Sequence, residues 1–380
     1  MKLIRRLFYL GLEPLAARYT KQLCEDWFPA AVREASPRTN LTTISGETTD
    51  EQIQVGGVLD ATGRGIYACT QVALLLKLIR NGSVSNEDAI FLQDFWTPGF
   101  EAVPYALHLC GLKPKIYSML HAQSVDEYDF TWPMREWMRP MELGLTRFHS
   151  AIFVASTIHR DQLRAAGVQC PIHVVGLPIH ARLVACQMSV PIGRRKNVIF
   201  CSRLDWEKNP GFMLQVAERF LTGHPNWTWT VTTSSKNFRS NDHLLLSDIL
   251  SYARNEPRFI LKAGLTKQQY YDELCNSSIQ FNSSLQDYVS WTLLEAVIAG
   301  CELAYPDFRS FPEILPASRL YRAFNVEDAC LLLNRLTEEH PLVDLEWIAR
   351  RCDLGRIIEA EIITGVKADN REVNIWHGCI

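Results

Sequence analysis

Two acidic and two basic residues stand at spacings that suit a ligand. Asp287 and Glu295 bracket Tyr288-Val289-Ser290-Trp291-Thr292, and Arg203 and Lys208 bracket Leu204-Asp205-Trp206-Glu207. Residues 278–282 read as a buried strand, 292–299 as a helix capped by Gly300, and 301–305 as the next strand. Asp287 therefore falls in a loop at the carboxyl end of a strand, and Glu295 in the helix that follows. In open α/β sheets that crevice is where ligands bind. Amides at the helix start, around Ser290, Trp291 and Thr292, can hold a phosphate. The acids on either side can accept hydrogen bonds from sugar hydroxyls. Arg203 and Lys208 follow a strand at 198–202, and with the next helix N-terminus they can clamp a diphosphate. The plainer alternatives are a capping Asp, a solvated helix Glu and ordinary loop cations. The chain has neither a Walker loop nor the Gly-x-Gly-x-x-Gly turn of a dinucleotide site.

The elements that must position these side chains form two successive alternations of strand and helix. In the first half, strands are expected at 7–12, 58–59, 89–92, 115–120, 151–155 and 173–175, with helices running from the 13–20 loop toward Phe28 and over 67–79. In the second half they are expected at 198–202, 227–232, 259–262, 278–281, 301–305 and 320–323. Asn209-Pro210 offers a helix cap followed by a first-turn proline, and Thr266 with Gln269 reads as a capping box. The alternation predicts an α/β fold of two doubly wound parallel sheets. The expected division is residues 1–178, a linker at 179–196, a second domain at 197–345, and helices at 346–380 that return to the first domain. Within that tail, 345–351 and 356–363 are each amphipathic at helical spacing.

Polar and aromatic residues gather after the strands of the first half: Arg18, Tyr19, Asp60, Arg64, Asp94, Trp96 and His121. Each alone is compatible with a cap or a core contact; their gathering marks a site. Asp126-Glu127-Tyr128-Asp129 reads as a solvated acidic loop rather than a metal clamp.

At 380 residues, 47% hydrophobic and 21% charged, the chain has the composition of a globular protein large enough for two cores. Eleven scattered cysteines without a Cys-x-x-Cys pair suggest reduced thiols in a cytoplasmic compartment, and exclude a disulfide framework or a zinc ribbon. The apolar start at 3–10 is short and interrupted by Glu13-Pro14, so it reads as a strand rather than a leader, and no run approaches membrane-spanning length.

The second half resembles a GT-B glycosyltransferase of the large retaining, nucleotide-sugar-dependent class. Arg203-Leu204-x-x-Glu207-Lys208 resembles its Arg…Glu-Lys motif, and Asp287-x7-Glu295 its Glu-x7-Glu motif. Gly300-Cys301 and Phe311-Pro312-Glu313-Ile314 fall where that family carries Gly-Thr-Pro and Pro-Glu-Ile. The likeness covers about residues 197–316; in the first half His121 resembles the family's histidine near the transferred sugar. The resemblance implies two Rossmann-like domains with a cleft between them and a UDP-, GDP- or other nucleotide-sugar donor, with no metal or cofactor. It implies that Arg203 and Lys208 hold the diphosphate, Glu295 the ribose, Asp287 the sugar hydroxyls, and the 290–292 amides a phosphate. Three departures stand out: Asp287 replaces the first glutamate, Tyr288-Val289-Ser290 replaces Gly-Phe-Gly, and Glu13-Pro14-Leu15-Ala16 replaces a double-glycine loop.

For the acceptor, residues 9–20 and 57–64 look like stretches of phage-encoded glycosyltransferases, which implies a hydroxymethylated pyrimidine in double-stranded DNA inside a host cytoplasm. Seven Lys and Arg against four acids make residues 1–38 locally basic, and Phe95, Trp96, Tyr128, Trp132 and Trp137 offer stacking surface. The net charge of -3 points the other way. The remaining alternatives are a surface glycan, lipid or small-molecule acceptor, a non-catalytic nucleotide-sugar binder, and a nucleotide-sugar epimerase.

Overall fold

The computed structural model describes residues 3–16, 18–48, 61–121, 124–189, 196–338, 344–369 and 371–377. The chain divides into two compact units: the residues up to Ile179 with Cys352–His377, and His180–Arg351.

The first unit holds strands β1 (Arg6–Leu10), β2 (Asn40–Ile44), β3 (Ala89–Leu92), β4 (Lys115–Met119), β5 (Ala151–Val154) and β6 (Ile172–Val174). They form one sheet in the order β2-β1-β3-β4-β5-β6, with every pair parallel. β3 and β5 are buried along their whole length, as the continuous apolar runs of strands covered on both faces require. Tyr9, Phe28 and Phe91 stack in series beneath them, with ring centroids 4.2 and 4.8 Å apart. The edge strand β2 was not expected. Its sequence Asn-Leu-Thr-Thr-Ile buries only Ile44, so it carries no apolar run. The strand expected at 58–59 lies outside the described residues.

The second unit holds β7 (Asn197–Phe200), β8 (Thr228–Thr232), β9 (Phe259–Lys262), β10 (Ile279–Phe281), β11 (Glu302–Asp307) and β12 (Leu320–Arg322). Their order is β12-β11-β10-β7-β8-β9, again all parallel. Its core stacks Phe212, Phe281 and Tyr321, with Trp229 tilted against Phe281 at 5.2 Å.

Helix boundaries follow local chemistry. Thr266 and Gln269 form the expected capping box. Asn209 does stand before Pro210, but its side chain makes no cap bond; it takes the left-handed conformation at φ 49° that Asn tolerates. Gly300, at φ 75°, closes the Trp291–Ile298 helix through amide bonds from Gly300 to Val297 and from Cys301 to Ala296, a Schellman ending. The expected solvated acidic loop is a correction: Asp126 and Asp129 are buried and accept hydrogen bonds from Tyr128 N and from the Thr131 amide and hydroxyl.

The tail forms one helix, Glu346–Ile363, where two were expected. Within the first unit its backbone approaches β6 so closely that a Cβ on Gly355 would lie 2.0 Å from the Val175 carbonyl. Beyond the helix, Val174 bonds Val373 and Ile375, and the Trp376 indole donates to Ala155. The same helix buries Glu359 completely, with no hydrogen-bond partner for either oxygen. Burial raises its pKa from 4.5 to about 8, against the opposing pull of Arg356; Tyr9 is the other titratable group that feels it. The folded chain thus keeps a proton that the unfolded chain releases near 4.5, so this contribution to stability is complete below that pH and is lost as pH rises through about 8. Glu359→Gln, which cannot ionise, should raise the urea midpoint relative to the native chain at pH 8, with the advantage shrinking toward pH 4.5. An advantage that does not change with pH would contradict an ionisable, destabilising Glu359.

Candidate functional site

The strand order of the second unit reverses between β7 and β10, and the two loops bearing the sequence-predicted residues leave the carboxyl ends of those two strands. The loops are tied together. Leu285 donates its amide to the Glu207 carbonyl at 2.9 Å, and the Ser283 hydroxyl donates to the Lys208 carbonyl at 2.8 Å. Behind them the Tyr321 hydroxyl donates to the Asn282 carbonyl at 2.7 Å, which anchors the end of β10.

Each predicted cation is engaged by an acid. The Lys208 ammonium, with only 9% of its side chain exposed, lies 2.6 Å from Asp287 Oδ1 and also donates to Gln286 and Ser284. Arg203 donates to Glu207 Oε1 at 2.7 Å, with Asp205 at 3.4 Å. Glu207 therefore orients Arg203, a role spacing alone did not suggest. Asp287 is held from its main chain as well: the Ser310 hydroxyl, ahead of the short helix Phe311–Ile314, bonds the carbonyls of Asp287 and Tyr288.

Glu295 is almost fully buried, and its Oε1 takes bonds from Lys267 Nζ and from the Tyr271 hydroxyl. Lys267 opens the Lys267–Cys275 helix and lies over the rings of Tyr270 and Tyr271, at 4.9 and 4.7 Å. Burial pushes the Cys201 thiol, just past β7, to about 12, and it feels both Glu295 and Lys267. Lys267, Tyr270 and Tyr271 were missed because they sit on a different strand-to-helix connection; the available signal was the capping box, which fixes Lys267 at the first helical position. Ser290 stands before the Trp291–Ile298 helix with its hydroxyl 2.8 Å from that of Thr292. Tyr288 and Val289, just ahead of that helix, are buried.

In the first unit the strand order reverses between β1 and β3. Arg18 and Tyr19 enter the first helix after β1. Asp94 accepts a bond from the Trp96 amide and lies 3.8 Å from Arg64, which is buried. His121 Nε2 is 2.9 Å from the Gln93 carbonyl, so that nitrogen carries the proton and Nδ1 can accept. Burial lowers the His121 pKa, against the opposing effect of Asp94, which leaves the ring neutral at pH 7. His121, Asp94 and Arg64 thus form one group, and Asp60 lies outside the described residues. Of the expected stacking aromatics, Phe95 is core, packed 5.3 Å from His149. Trp96 and Trp137 lie 5.9 Å apart with Trp137 53% exposed, and Trp132 carries Arg135 at 4.6 Å and Arg139 at 5.6 Å.

Fold and loop placement together define the class of architecture, a GT-B fold of two Rossmann-like units. Solved structures similar to this chain include the pneumococcal O-GlcNAc transferase GtfA in complex with UDP and GlcNAc, at TM-score 0.53 and 11% identity over 76% of this chain and 58% of that one. They also include the α,α-trehalose 6-phosphate synthase of Burkholderia multivorans, at 0.59 and 14% over 95% of this chain and 96% of that one. A Listeria monocytogenes structure assigned as a UDP-N-acetylglucosamine 2-epimerase aligns at 0.60 and 12% over 97% and 99%. This chain spans little more than half the length of GtfA. No family model and no curated protein matches it. No helix among the described residues is long and apolar enough to cross a membrane.

The Lys208–Asp287 pair makes a prediction about stability. Stripping one partner from a buried pair costs about 3–5 kcal/mol because the other charge stays desolvated; the partial exposure of Asp287 reduces that here. Lys208→Met should lower the urea midpoint more than Lys208→Met combined with Asp287→Asn. A double variant less stable than the single one would contradict the pairing.

Proposed function

We propose that this chain is a retaining glycosyltransferase that moves a sugar from a nucleoside diphosphate sugar to a hydroxyl acceptor. The observation that carries the proposal is the tying of the Arg203–Lys208 loop to the Asp287 loop at the β7/β10 reversal, with Lys208 on Asp287 and Glu295 in the helix that follows, in the motif order the family uses. Arg203 and Lys208 bind the diphosphate and stabilise the negative charge that grows on it as the bond from phosphate oxygen to the anomeric carbon breaks. Amides at Ser290, Trp291 and Thr292 add dipoles at the helix N-terminus. Glu295 accepts from the ribose hydroxyls and Asp287 from the donor sugar. The acceptor oxygen forms the new bond on the face of the anomeric carbon that the phosphate leaves and passes its proton to the departing phosphate oxygen, and the sugar has oxocarbenium character between bond breaking and bond making. His121, neutral and with Nδ1 able to accept, suits a contact to a hydroxyl in the acceptor-side unit, alongside Arg64, Asp94 and Trp96. GtfA binds UDP, which favours a nucleotide of this type as the leaving group.

For the acceptor we infer a hydroxymethylated pyrimidine in DNA, favoured by the neighbouring Trp96 and Trp137 rings and the Arg-flanked Trp132, which suit an unstacked base. The test incubates the protein with a panel of nucleotide sugars and duplex DNA containing hydroxymethylcytosine or hydroxymethyluracil, then digests to nucleosides for mass analysis. A sugar-shifted nucleoside supports both readings. Transfer only to a lipid, glycan or small molecule rejects the DNA acceptor alone. Epimerised donor without transfer, or no turnover of any donor, rejects the transferase.

Arg203→Ala and Glu295→Gln should each reduce transfer about ten- to a hundredfold, the worth of a hydrogen bond to a charged group, when assayed well below their unfolding transitions. Asp287→Glu should keep activity and alter sugar preference. Near-normal donor turnover by Arg203→Ala would remove the diphosphate assignment.

A further inference from the structure

The chemistry around Glu295 goes beyond the motif that picked it out. Its side chain is only 3% exposed, so what it can offer a ribose depends on the groups that aim it. Desolvation opposes ionisation of a buried acid unless a cation stands against it. The cation here is Lys267, from the connection after the edge strand β9, which lies two strands from β7. Lys267 reaches Glu295 Oε1, and Tyr271, itself buried, donates to the same oxygen at 3.3 Å. The groups facing Glu295 are Lys267, Tyr270 and Tyr271 of the Lys267–Cys275 helix and Cys201 past β7.

Lys267 is itself held on several sides. The capping box fixes its backbone at the helix start, and two aromatic rings line its ammonium. Its side chain is 16% exposed, so the ammonium has little water to turn to in place of Glu295.

We propose that Lys267, supported by Tyr271, is the positioning residue of the nucleoside subsite: it holds the Glu295 carboxylate and points it so that the sugar of the nucleotide can bond it. This rests on the reading of Glu295 as a ribose acceptor given above. Lys267 acts through Glu295, so it governs how tightly nucleotide binds rather than how fast the sugar moves once bound.

The test is a double-mutant cycle read by titration calorimetry with UDP, GDP, ADP, CDP and dTDP, using the tightest of these on the full chain. Lys267→Met should weaken that nucleotide about tenfold or more at pH 7. Lys267→Arg should recover most of the affinity. In a Glu295→Gln background, Lys267→Met should change affinity less than twofold, since the carboxylate it serves is gone. In steady state, the donor KM should rise with kcat within about threefold. A Lys267→Met chain that binds normally while Glu295→Gln binds weakly overturns the positioning role and leaves the transferase reading intact. Equal losses in both backgrounds also overturn it, since they mark a general structural defect. Normal binding by Glu295→Gln, or no binding of any nucleotide by the native chain, rejects the ribose role on which it rests.

Discussion

The hydrogen bonds from Leu285 to the Glu207 carbonyl and from Ser283 to the Lys208 carbonyl hold the candidate site together. They join two loops that are distant in sequence and adjacent only because β7 and β10 pair in the sheet. Strand pairing alone would bring the loops near one another and leave their side chains free to diverge. The two bonds fix the main chain on either side of Lys208, and the short contact from its ammonium to Asp287 follows. Two polar amide and hydroxyl groups thereby find partners that a buried loop would otherwise lack.

The electrostatics have a common form. Arg203 is matched by Asp205 and Glu207, Lys208 by Asp287, and Lys267 by Glu295. Preformed pairs hold long, flexible cationic side chains in place, so less conformational entropy is lost when a ligand binds. They also set a threshold: an anion must compete with Asp287 for Lys208. A dianionic diphosphate is suited to that competition and a neutral sugar is not.

Much of this was legible in the sequence, and for identifiable reasons. β3 and β9 were found to the residue because continuous apolar or β-branched runs between turn signals leave few other readings. The Thr266 capping box and the Gly300 helix ending were legible because each is local chemistry. β2 was not, since an edge strand with polar residues has no buried face to reveal it. Asp126 and Asp129 were misread because an Asp that bonds its own turn looks, in sequence, like one that faces water. The pairing of Lys267 was not legible for a third reason: its partner Glu295 lies on another connection, and only the fold brings them together.

We propose that Arg203 and Lys208 grip a nucleoside diphosphate while Glu295 holds its ribose. A crystal structure of the second unit's site with the tightest-binding nucleoside diphosphate tests it most directly. The account predicts phosphate oxygens within hydrogen-bond distance of Arg203 and Lys208, a longer Lys208–Asp287 separation than 2.6 Å, and a ribose hydroxyl on Glu295 with Lys267 still in place. A nucleotide bound elsewhere on the chain, or one at this site with its phosphates turned away from both cations, would contradict it.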